Sequence, residues 1–383
     1  MKKIDKNVVA LGWVSFFTDM ASAMINPILP VFVVTILHQS MAELGMVVAA
    51  ATFVSYMLRI LSGYISDRFG IVKPLVVGGY TLSALCKPLL GFTHDYKSVA
   101  VLRSLERFGK GLRSAPKDLM LASYGEKSGA GKTFGFHKTL DIAGELAGAV
   151  IVLLILYSFG EYEETIRGIF FATLIPGLIG LFIVLFFVRD IPKAAHSGPI
   201  GFRLTAKDKK TIRSLIFYFL FLLFMFNEAF FTIQAKDVGI PMVLIPVLFI
   251  VSTSIQTLTS YLFGVWIDRV GAKRILVFSY LCGTAAQGLL YLQKPLFTWV
   301  SFAFLGLFSV SSLNANRSII ANRAENRGSV YGIFYALVAI FAALGAYISG
   351  FVWDHLGIDM ATLLALGGTS AVFVSYLLSL EKL

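Results

Sequence analysis

The stretch Gly63-Tyr64-Ile65-Ser66-Asp67-Arg68-Phe69-Gly70 places an acid, a base and two glycines at the end of a long apolar run. The pattern returns as Gly264-Val265-Trp266-Ile267-Asp268-Arg269-Val270-Gly271. Glycine, aspartate, arginine and the closing glycine each recur after 201 residues (264 − 63, 268 − 67, 269 − 68 and 271 − 70). In a chain of 383 residues, this spacing predicts two halves built on one plan.

The composition is that of a membrane protein. The chain is 57% hydrophobic and 14% charged, whereas a soluble domain usually carries about 25% charged residues. Cys86 and Cys282 both lie in apolar runs, so we expect inert buried thiols and neither a disulfide framework nor a metal site. The net charge of +11 arises mainly from short loops between apolar runs, which indicates membrane topology and not nucleic-acid binding.

Membrane-spanning runs organise the chain, since a spanning helix needs about 20 mainly apolar residues. We predict an all-α membrane protein with twelve transmembrane helices in two pseudo-symmetric six-helix halves, residues 1–189 and 212–383. A cytoplasmic linker, residues 190–211, joins the halves. The predicted spans 1 to 12 are residues 8–37, 43–66, 74–93, 98–123, 133–159, 167–189, 212–235, 241–266, 275–292, 296–321, 329–353 and 360–380.

Lysine and arginine are distributed unequally between the two sets of loops. One set contains the N-terminus, the linker and both copies of the aspartate–arginine stretch, and it holds most of the loop bases. The opposite set carries Lys97, Arg167, Lys236 and Lys294. Because cytoplasmic loops are enriched in lysine and arginine, we predict that both termini are cytoplasmic.

A second repeat relates spans 5 and 11. Gly135 and Gly148 correspond to Gly332 and Gly345 after 197 residues (332 − 135 and 345 − 148). The change from 201 to 197 requires only a small net deletion. Two homologous halves are typical of many secondary transporters.

Twelve spans, a central linker and the duplicated G-x-x-x-D-R-x-G pattern resemble the major facilitator superfamily over the whole chain. The resemblance implies a monomeric secondary transporter that works by alternating access, with this loop latching the cytoplasmic side. The first copy departs from the family pattern, because Ile71-Val72-Lys73 stands where a more basic tail is usual. The implied gating residues are Gly63, Asp67, Arg68, Gly70, Gly264, Asp268, Arg269 and Gly271.

Two further motifs refine the resemblance. The run from Glu106 to Asp118 in span 4 resembles a bacterial subgroup, which implies a multi-pass protein of the inner (plasma) membrane. Some relatives of that subgroup are linked to siderophore movement. Gly144-Glu145-Leu146-Ala147-Gly148 in span 5 is similar to the antiporter motif of drug exporters, with Glu145 at the proline position. This motif favours export by antiport, whereas the missing proline counts against a drug exporter.

Acidic residues inside predicted spans are candidates for proton coupling, because a buried charge must face a cavity or a partner. Asp19 lies in span 1 on a polar stripe with Asn26, and Pro27 and Pro30 weaken that helix. A static ion pair is the alternative for Asp19. The candidates are Asp19, Glu228, Asp141 and Glu145. Asn227-Glu228 in span 7 is the predicted counterpart of Thr18-Asp19, at a spacing of 209 (228 − 19).

Basic and amide side chains are candidates for solute binding. Arg103 and Arg107 in span 4 and Arg317 in span 10 can hold an anionic group. Asn26, Gln256 and Asn314 add neutral donors and acceptors. In contrast, we expect Lys117, Asp118, His137 and Lys138 at solvated helix ends, and Lys87 near the outer end of span 3 or in packing.

The sequence therefore predicts a proton-coupled transporter that exports a small organic solute, anionic, zwitterionic or amphipathic, through the lipid bilayer. The alternatives are a symporter or uniporter that imports an organic anion or siderophore, and a membrane receptor or assembly partner without transport. No P-loop and no catalytic motif is present, so we predict no enzyme, no cofactor and no direct use of ATP.

Overall fold

The computed structural model describes residues 4–125, 130–191 and 204–380; the side chains of Asp67 and of residues 125 and 130–132 lie outside that description. All regular structure within the described residues is helical, which confirms the predicted all-α class. The chain divides into two compact units. Unit 1 comprises Met1–His38 and Ala50–Pro199, and unit 2 comprises Gln39–Ala49 and Ile200–Leu383.

Unit 1 contains α1 (Lys6–Ile25), α2 (Leu29–Val31), most of α3 (Met41–Phe69), α4 (Lys73–Leu89), α5 (Tyr96–Gly125), α6 (Ala130–Phe159), α7 (Glu163–Ala172) and α8 (Leu174–Phe186). α1 begins where the Asp5 carboxylate accepts the backbone N–H of Asn7, a helix N-cap. A π-helical turn, Phe32–Ile36, follows α2, and a 3₁₀ turn, Leu90–Phe92, follows α4.

The interior of unit 1 is built from five of these helices. α1 packs on α6 and α8, and α4 packs on α5 and α8. Val14 of α1, Tyr80 of α4, Leu121 of α5 and Val184 of α8 belong to one buried apolar cluster. Lipid tails are as apolar as these side chains, so close van der Waals packing holds such helices together.

Unit 2 contains α9 (Ala206–Ser214), α10 (Ile216–Phe224), α11 (Glu228–Asp237), α12 (Ile245–Val270), α13 (Ala272–Tyr291), α14 (Pro295–Arg323) and α15 (Arg327–Leu380). Thr205 and Asp208 form a capping box at the start of α9. The buried Asp208 carboxylate also accepts the backbone N–H groups of Glu325 at 2.9 Å and Asn326 at 3.2 Å. These bonds fix α9 to the turn between α14 and α15.

α3 begins in unit 2 and continues in unit 1. At its start, the Asp354 carboxylate of α15 accepts the N–H groups of Met41 at 2.7 Å and Ala42 at 2.8 Å. A carboxylate is stabilising there because the N-terminal end of a helix carries partial positive charge. A Cβ on Gly350 would lie only 2.3 Å from the Met41 backbone oxygen, so glycine permits this close approach. The first residues of α3 are thus held by α15.

Among the described residues, nine helical segments are long and apolar enough to cross a membrane. Predicted spans 11 and 12 both lie in α15, where Gly357 has a φ of 82° and interrupts the helical backbone. Predicted span 4 coincides with α5 and span 9 with α13, but α5 carries many charges and α13 has Lys273 and Arg274 in its first turn. The count of twelve therefore stays a prediction.

The second sequence repeat marks equivalent helix contacts inside the two units. A Cβ on Gly148 of α6 would lie 2.3 Å from the backbone oxygen of Met20 in α1. A Cβ on Gly345 of α15 would lie 2.7 Å from the backbone oxygen of Leu222 in α10. Each glycine thus allows two backbones to approach, as in other small-residue contacts between membrane helices.

Substitution of either glycine by alanine tests this equivalence. We expect Gly148→Ala and Gly345→Ala each to lower the free energy of unfolding by about 1–3 kcal/mol, because the added methyl group overpacks the contact. Gly135 and Gly367 lie on the same two helices, and a Cβ added at either would have no neighbour within 4 Å, so their alanine variants are the controls. Thermal melting in detergent measures the effect. Equal melting temperatures for the four variants would contradict it.

Candidate functional site

The first predicted span is interrupted at Asn26-Pro27. α1 ends at Ile25, and the chain re-enters a helix only at Leu29. The Asn26 Oδ1 accepts hydrogen bonds from the guanidinium groups of Arg103 and of Arg107, the latter through Nη2 at 3.3 Å. Three of the predicted solute-binding residues therefore lie together in unit 1.

Glu106 completes this group, and the sequence analysis did not assign it to the site. Its Oε2 lies 3.1 Å from Arg103 Nη1 and 3.3 Å from Arg107 Nε. The residue is fully buried, and its Oε1 has no hydrogen-bond partner among the described residues. The spacing of Arg103 and Glu106, three residues apart on a helix, is the sequence signal that could have indicated the pair.

Further cations surround the same region. Lys87 of α4 is fully buried, and its ammonium donates to the Thr18 backbone oxygen of α1 at 3.1 Å. Arg113 of α5 donates to Ser83 Oγ at 2.6 Å and lies over the Tyr80 ring, 4.5 Å from its centroid. Lys87 thus lies buried against α1, and its ammonium group links α4 to that helix.

The acidic candidates of unit 1 lie on α1 and α6. Asp19 is half-buried and interacts electrostatically with Lys87 and Lys110, but it forms no ion pair with any described residue. Glu145 is half-buried and interacts electrostatically with Asp19 and Lys110. The static ion pair considered for Asp19 is therefore not found within the described part of the chain.

A second polar chain joins α5, α1 and α6. Lys117 Nζ donates to Ser15 Oγ at 3.2 Å, and Ser15 Oγ lies 2.9 Å from His137 Nε2. His137 Nδ1 lies 3.4 Å from Asp141 Oδ1. The expectation that His137 lies at a solvated helix end is wrong, because its ring is buried between these helices. Lys138, by contrast, is exposed as expected.

The charged cluster of unit 1 comprises these buried and half-buried groups. Its basic members are Lys87, Arg103, Arg107, Lys110, Arg113 and Lys117, and its acidic members are Asp19, Glu106, Asp141 and Glu145. The bases outnumber the acids. Such an arrangement suits an anionic or zwitterionic partner.

The predicted residues of unit 2 have fewer charged neighbours. The Arg317 guanidinium donates to Tyr335 Oη through Nη2 at 2.9 Å and Nε at 3.1 Å. Gln256 donates to Ser252 Oγ at 3.3 Å, and Asn314 of α14 donates to the Ser260 backbone oxygen of α12 at 3.3 Å. These contacts link neighbouring turns and helices within unit 2.

The seventh predicted span is also broken. α10 ends at Phe224, and α11 begins at Glu228, with the Asn227 side chain accepting the Ala229 N–H at 3.0 Å. Asn227 follows Asn26 by 201 residues (227 − 26), the spacing of the aspartate–arginine repeat. The two helix breaks therefore favour pairing Asn227 with Asn26, and Glu228 with Pro27, over the predicted pairing of Glu228 with Asp19.

Gln287 is a second residue that the sequence analysis missed. It is buried beside the break in span 7, where its amide nitrogen lies 3.4 Å from Met225 Sδ. Its Oε1 has no hydrogen-bond partner in the described part of the chain. Nothing in its apolar sequence context distinguishes it from a packing residue.

The two copies of the aspartate–arginine stretch end α3 and α12 in the same way. Gly70 and Gly271 have φ of 62° and 87°, a conformation that glycine adopts at little cost. Their N–H groups donate to the backbone oxygens of Ser66 and Ile267, each at 3.0 Å. The last glycine of the pattern is thus a helix stop in both units.

The other predicted gating residues that the structure describes are exposed or loosely packed. Arg68 is exposed and donates to Tyr64 Oη on its own helix. Gly63 would place a Cβ 3.4 Å from Ala115, an ordinary contact, and Gly264 has open space. Asp268 and Arg269 are exposed. The Asp67 side chain lies outside the described residues, so its latching role stays a prediction.

Comparison with known proteins identifies relatives of the whole chain. The family model described as Major Facilitator Superfamily matches residues 11–255 and 216–382. An uncharacterized MFS-type transporter of Methanocaldococcus jannaschii is 29% identical over 367 residues, which cover 92% of this chain and 89% of the relative. A Cupriavidus pinatubonensis protein named "Probable 4-methylmuconolactone transporter" is 30% identical over 174 residues, 45% of this chain and 39% of the relative.

Solved structures share the fold at low identity. A crystal structure of a variant of the nucleoside transporter NupG has a TM-score of 0.83 and 15% identity, and covers 97% of this chain and 99% of that chain. A POT family transporter in complex with 5-aminolevulinic acid has a TM-score of 0.79 and 12% identity, and covers 98% and 95% of the two chains.

The family match extends over more than half of the chain and agrees with the apolar helices and the repeated stretch. The chain belongs to the major facilitator superfamily, and it is a transporter rather than an enzyme.

Proposed function

We propose that this transporter moves a small organic anion or zwitterion by alternating access, driven by protons. The observation that carries the proposal is the charged cluster of unit 1, in which bases outnumber acids. Charges inside a membrane are costly, so they are retained mainly where they serve a solute or ion pathway. A guanidinium can bind a carboxylate through two parallel hydrogen bonds, which suits Arg107 to an anionic group.

The proposed proton carriers are the half-buried acids of the same region together with Glu228 of unit 2. Asp19 has no ion pair among the described residues, so its protonation would break no existing salt bridge. Glu228 stands at the start of α11, directly after the break in span 7. A carboxylate beside a broken helix fits a group whose surroundings change during transport.

The proposed direction is export by proton antiport. The G-x-x-x-G pair of span 5, which packs α6 on α1, supports it through its similarity to the antiporter motif. A relative named for 4-methylmuconolactone transport supports a small organic solute. The alternative is import of the same kind of anion by symport, which the opposite proton gradient would drive.

Proton coupling is tested in inside-out membrane vesicles with an acidic interior. We expect these vesicles to accumulate the exported solute, screened from a panel of labelled organic acids and zwitterions. Asp19→Asn and Glu228→Gln should each reduce gradient-driven accumulation at least about tenfold, because a permanently neutral side chain cannot carry the proton. Glu164→Gln, at an exposed helix start, is the matched control and should transport normally.

Accumulation only with the opposite gradient would replace export by symport. Normal accumulation by both amide variants would exclude these two carboxylates from coupling. If no solute of the panel moved in either direction, a non-transporting receptor would be favoured over a transporter.

Selectivity for an anion is tested at Arg107. We expect Arg107→Gln to weaken binding of a transported anion at least about tenfold, since a charge-assisted hydrogen bond is worth roughly 1.5–3 kcal/mol. Arg107→Lys keeps the charge but not the forked geometry, so it should bind with intermediate affinity. Inhibition of uptake by unlabelled anions measures the change. Equal affinities for all three proteins would contradict a role for Arg107 in solute binding.

The proposed membrane orientation has both termini in the cytoplasm. Lys209→Cys introduces a cysteine on α9, and Lys294→Cys introduces one directly before α14. Both positions are exposed. We expect a membrane-impermeant maleimide to label position 294 in intact cells, and position 209 only after permeabilisation. The native Cys86 and Cys282 are buried and give a low background. The reverse labelling pattern would invert the topology.

A further inference from the structure

Glu106 is held by two arginines through one oxygen. Arg103 Nη1 lies 3.1 Å from Oε2, and Arg107 Nε lies 3.3 Å from the same oxygen. The other oxygen, Oε1, is buried without a hydrogen-bond partner among the described residues. A buried carboxylate normally satisfies both oxygens, because an unmade hydrogen bond costs its desolvation. The Glu106 carboxylate is therefore stabilised at one oxygen and not at the other.

The two arginines differ in access. The Arg107 side chain is 21% exposed, whereas those of Arg103 and Glu106 are 7% and 1% exposed. A solute can thus reach Arg107 directly but cannot touch Glu106. Arg107 also contacts Asn26 Oδ1 only at the long distance of 3.3 Å, at the break in span 1. Arg107 is thus the more exposed of the two arginines and the one with the longer contacts to Glu106 and Asn26.

The surrounding charges allow this exchange. Lys87 from α4 and Lys110 from α5 interact electrostatically with Glu106, and Arg103 remains in contact with it. Asp19 of α1 interacts electrostatically with Lys87 and Lys110, and Glu145 of α6 interacts electrostatically with Lys110. If Arg107 turns away, Glu106 therefore still pairs with Arg103 at 3.1 Å and still interacts with the Lys87 and Lys110 side chains. Its carboxylate keeps a charged partner throughout.

We propose that Glu106 is a positioning residue that pairs with Arg107 in the empty transporter, and that Arg107 exchanges this carboxylate for the anionic group of the solute. This rests on the proposed function. The internal carboxylate weakens the affinity for the solute, and its return to Arg107 displaces the bound anion and so promotes release. No covalent bond forms or breaks in the exchange: the ion pair between Arg107 and Glu106 opens, and one between Arg107 and the solute forms.

Glu106→Gln tests the exchange because the amide keeps the shape and removes the competing charge. Benzoate and acetate are the probes, and benzamide and acetamide are the uncharged matches, with binding measured by titration calorimetry in detergent. We expect Glu106→Gln to bind the carboxylates at least about tenfold more tightly than the unmodified protein, which corresponds to loss of one charge-assisted competitor. The amides should bind neither protein.

A purely structural role predicts a different pattern. Loss of packing would weaken binding and transport together, whereas the exchange predicts tighter binding with slower release and a lower maximal uptake rate. The matched control is Glu163→Gln, which removes the carboxylate that lies 2.8 Å from Arg167 on α7, outside the charged cluster. It should leave carboxylate affinity unchanged.

Each outcome decides the proposal. Equal or weaker carboxylate affinity in Glu106→Gln, including no binding at all, overturns it. If the unmodified protein nevertheless binds carboxylates and Arg107→Gln abolishes that binding, the proposed function stands without the exchange. Should Glu106→Gln fail to fold, Glu106→Asp serves instead: its shorter carboxylate reaches the two guanidinium groups less well, and affinity should rise by a smaller factor.

Discussion

Charge held inside an apolar helical bundle is the constraint on which the rest of this molecule depends. An uncompensated ion in such surroundings costs several kcal/mol, so every buried base needs an acid, a carbonyl oxygen or a solute. Arg103 and Arg107 share the single carboxylate of Glu106, and Lys87 relies on a backbone oxygen of α1. Helix α1 is broken where its Asn26 side chain meets both arginines. The cluster thus requires α1, α4 and α5 to remain close.

The two units repeat helix contacts but not charge. Gly148 and Gly345 bring equivalent helices together, and Asn26 and Asn227 stand at equivalent breaks. Unit 1 has a carboxylate between two arginines, whereas Arg317 of unit 2 donates to a tyrosine hydroxyl. The repeated features are those that backbones need in order to pack and bend. The features that differ are charged side chains, so we propose that recognition of the solute falls mainly to unit 1.

Much of this arrangement follows from sequence because it depends on spacing within one helix or on the repeat. The apolar runs predict the helical class, and the positions of Asn26, Arg103 and Arg107 predict one polar region. Glu106 was missed because helical spacing shows that it can reach Arg103 but not that the pair is buried. His137 was misplaced for the same reason, since its burial depends on Ser15 of α1. The hydrogen bond from the Met41 N–H at the start of α3 to the Asp354 carboxylate joins residues 313 positions apart, so no local sequence pattern predicts it.

The central claim is that the charged cluster of unit 1 binds an anionic solute. Cryo-electron microscopy of the transporter with a transported organic anion tests it most directly. We expect density for the anionic group within hydrogen-bond distance of the Arg107 guanidinium. Density for the solute away from α5, with Arg107 still paired to Glu106, would contradict the account.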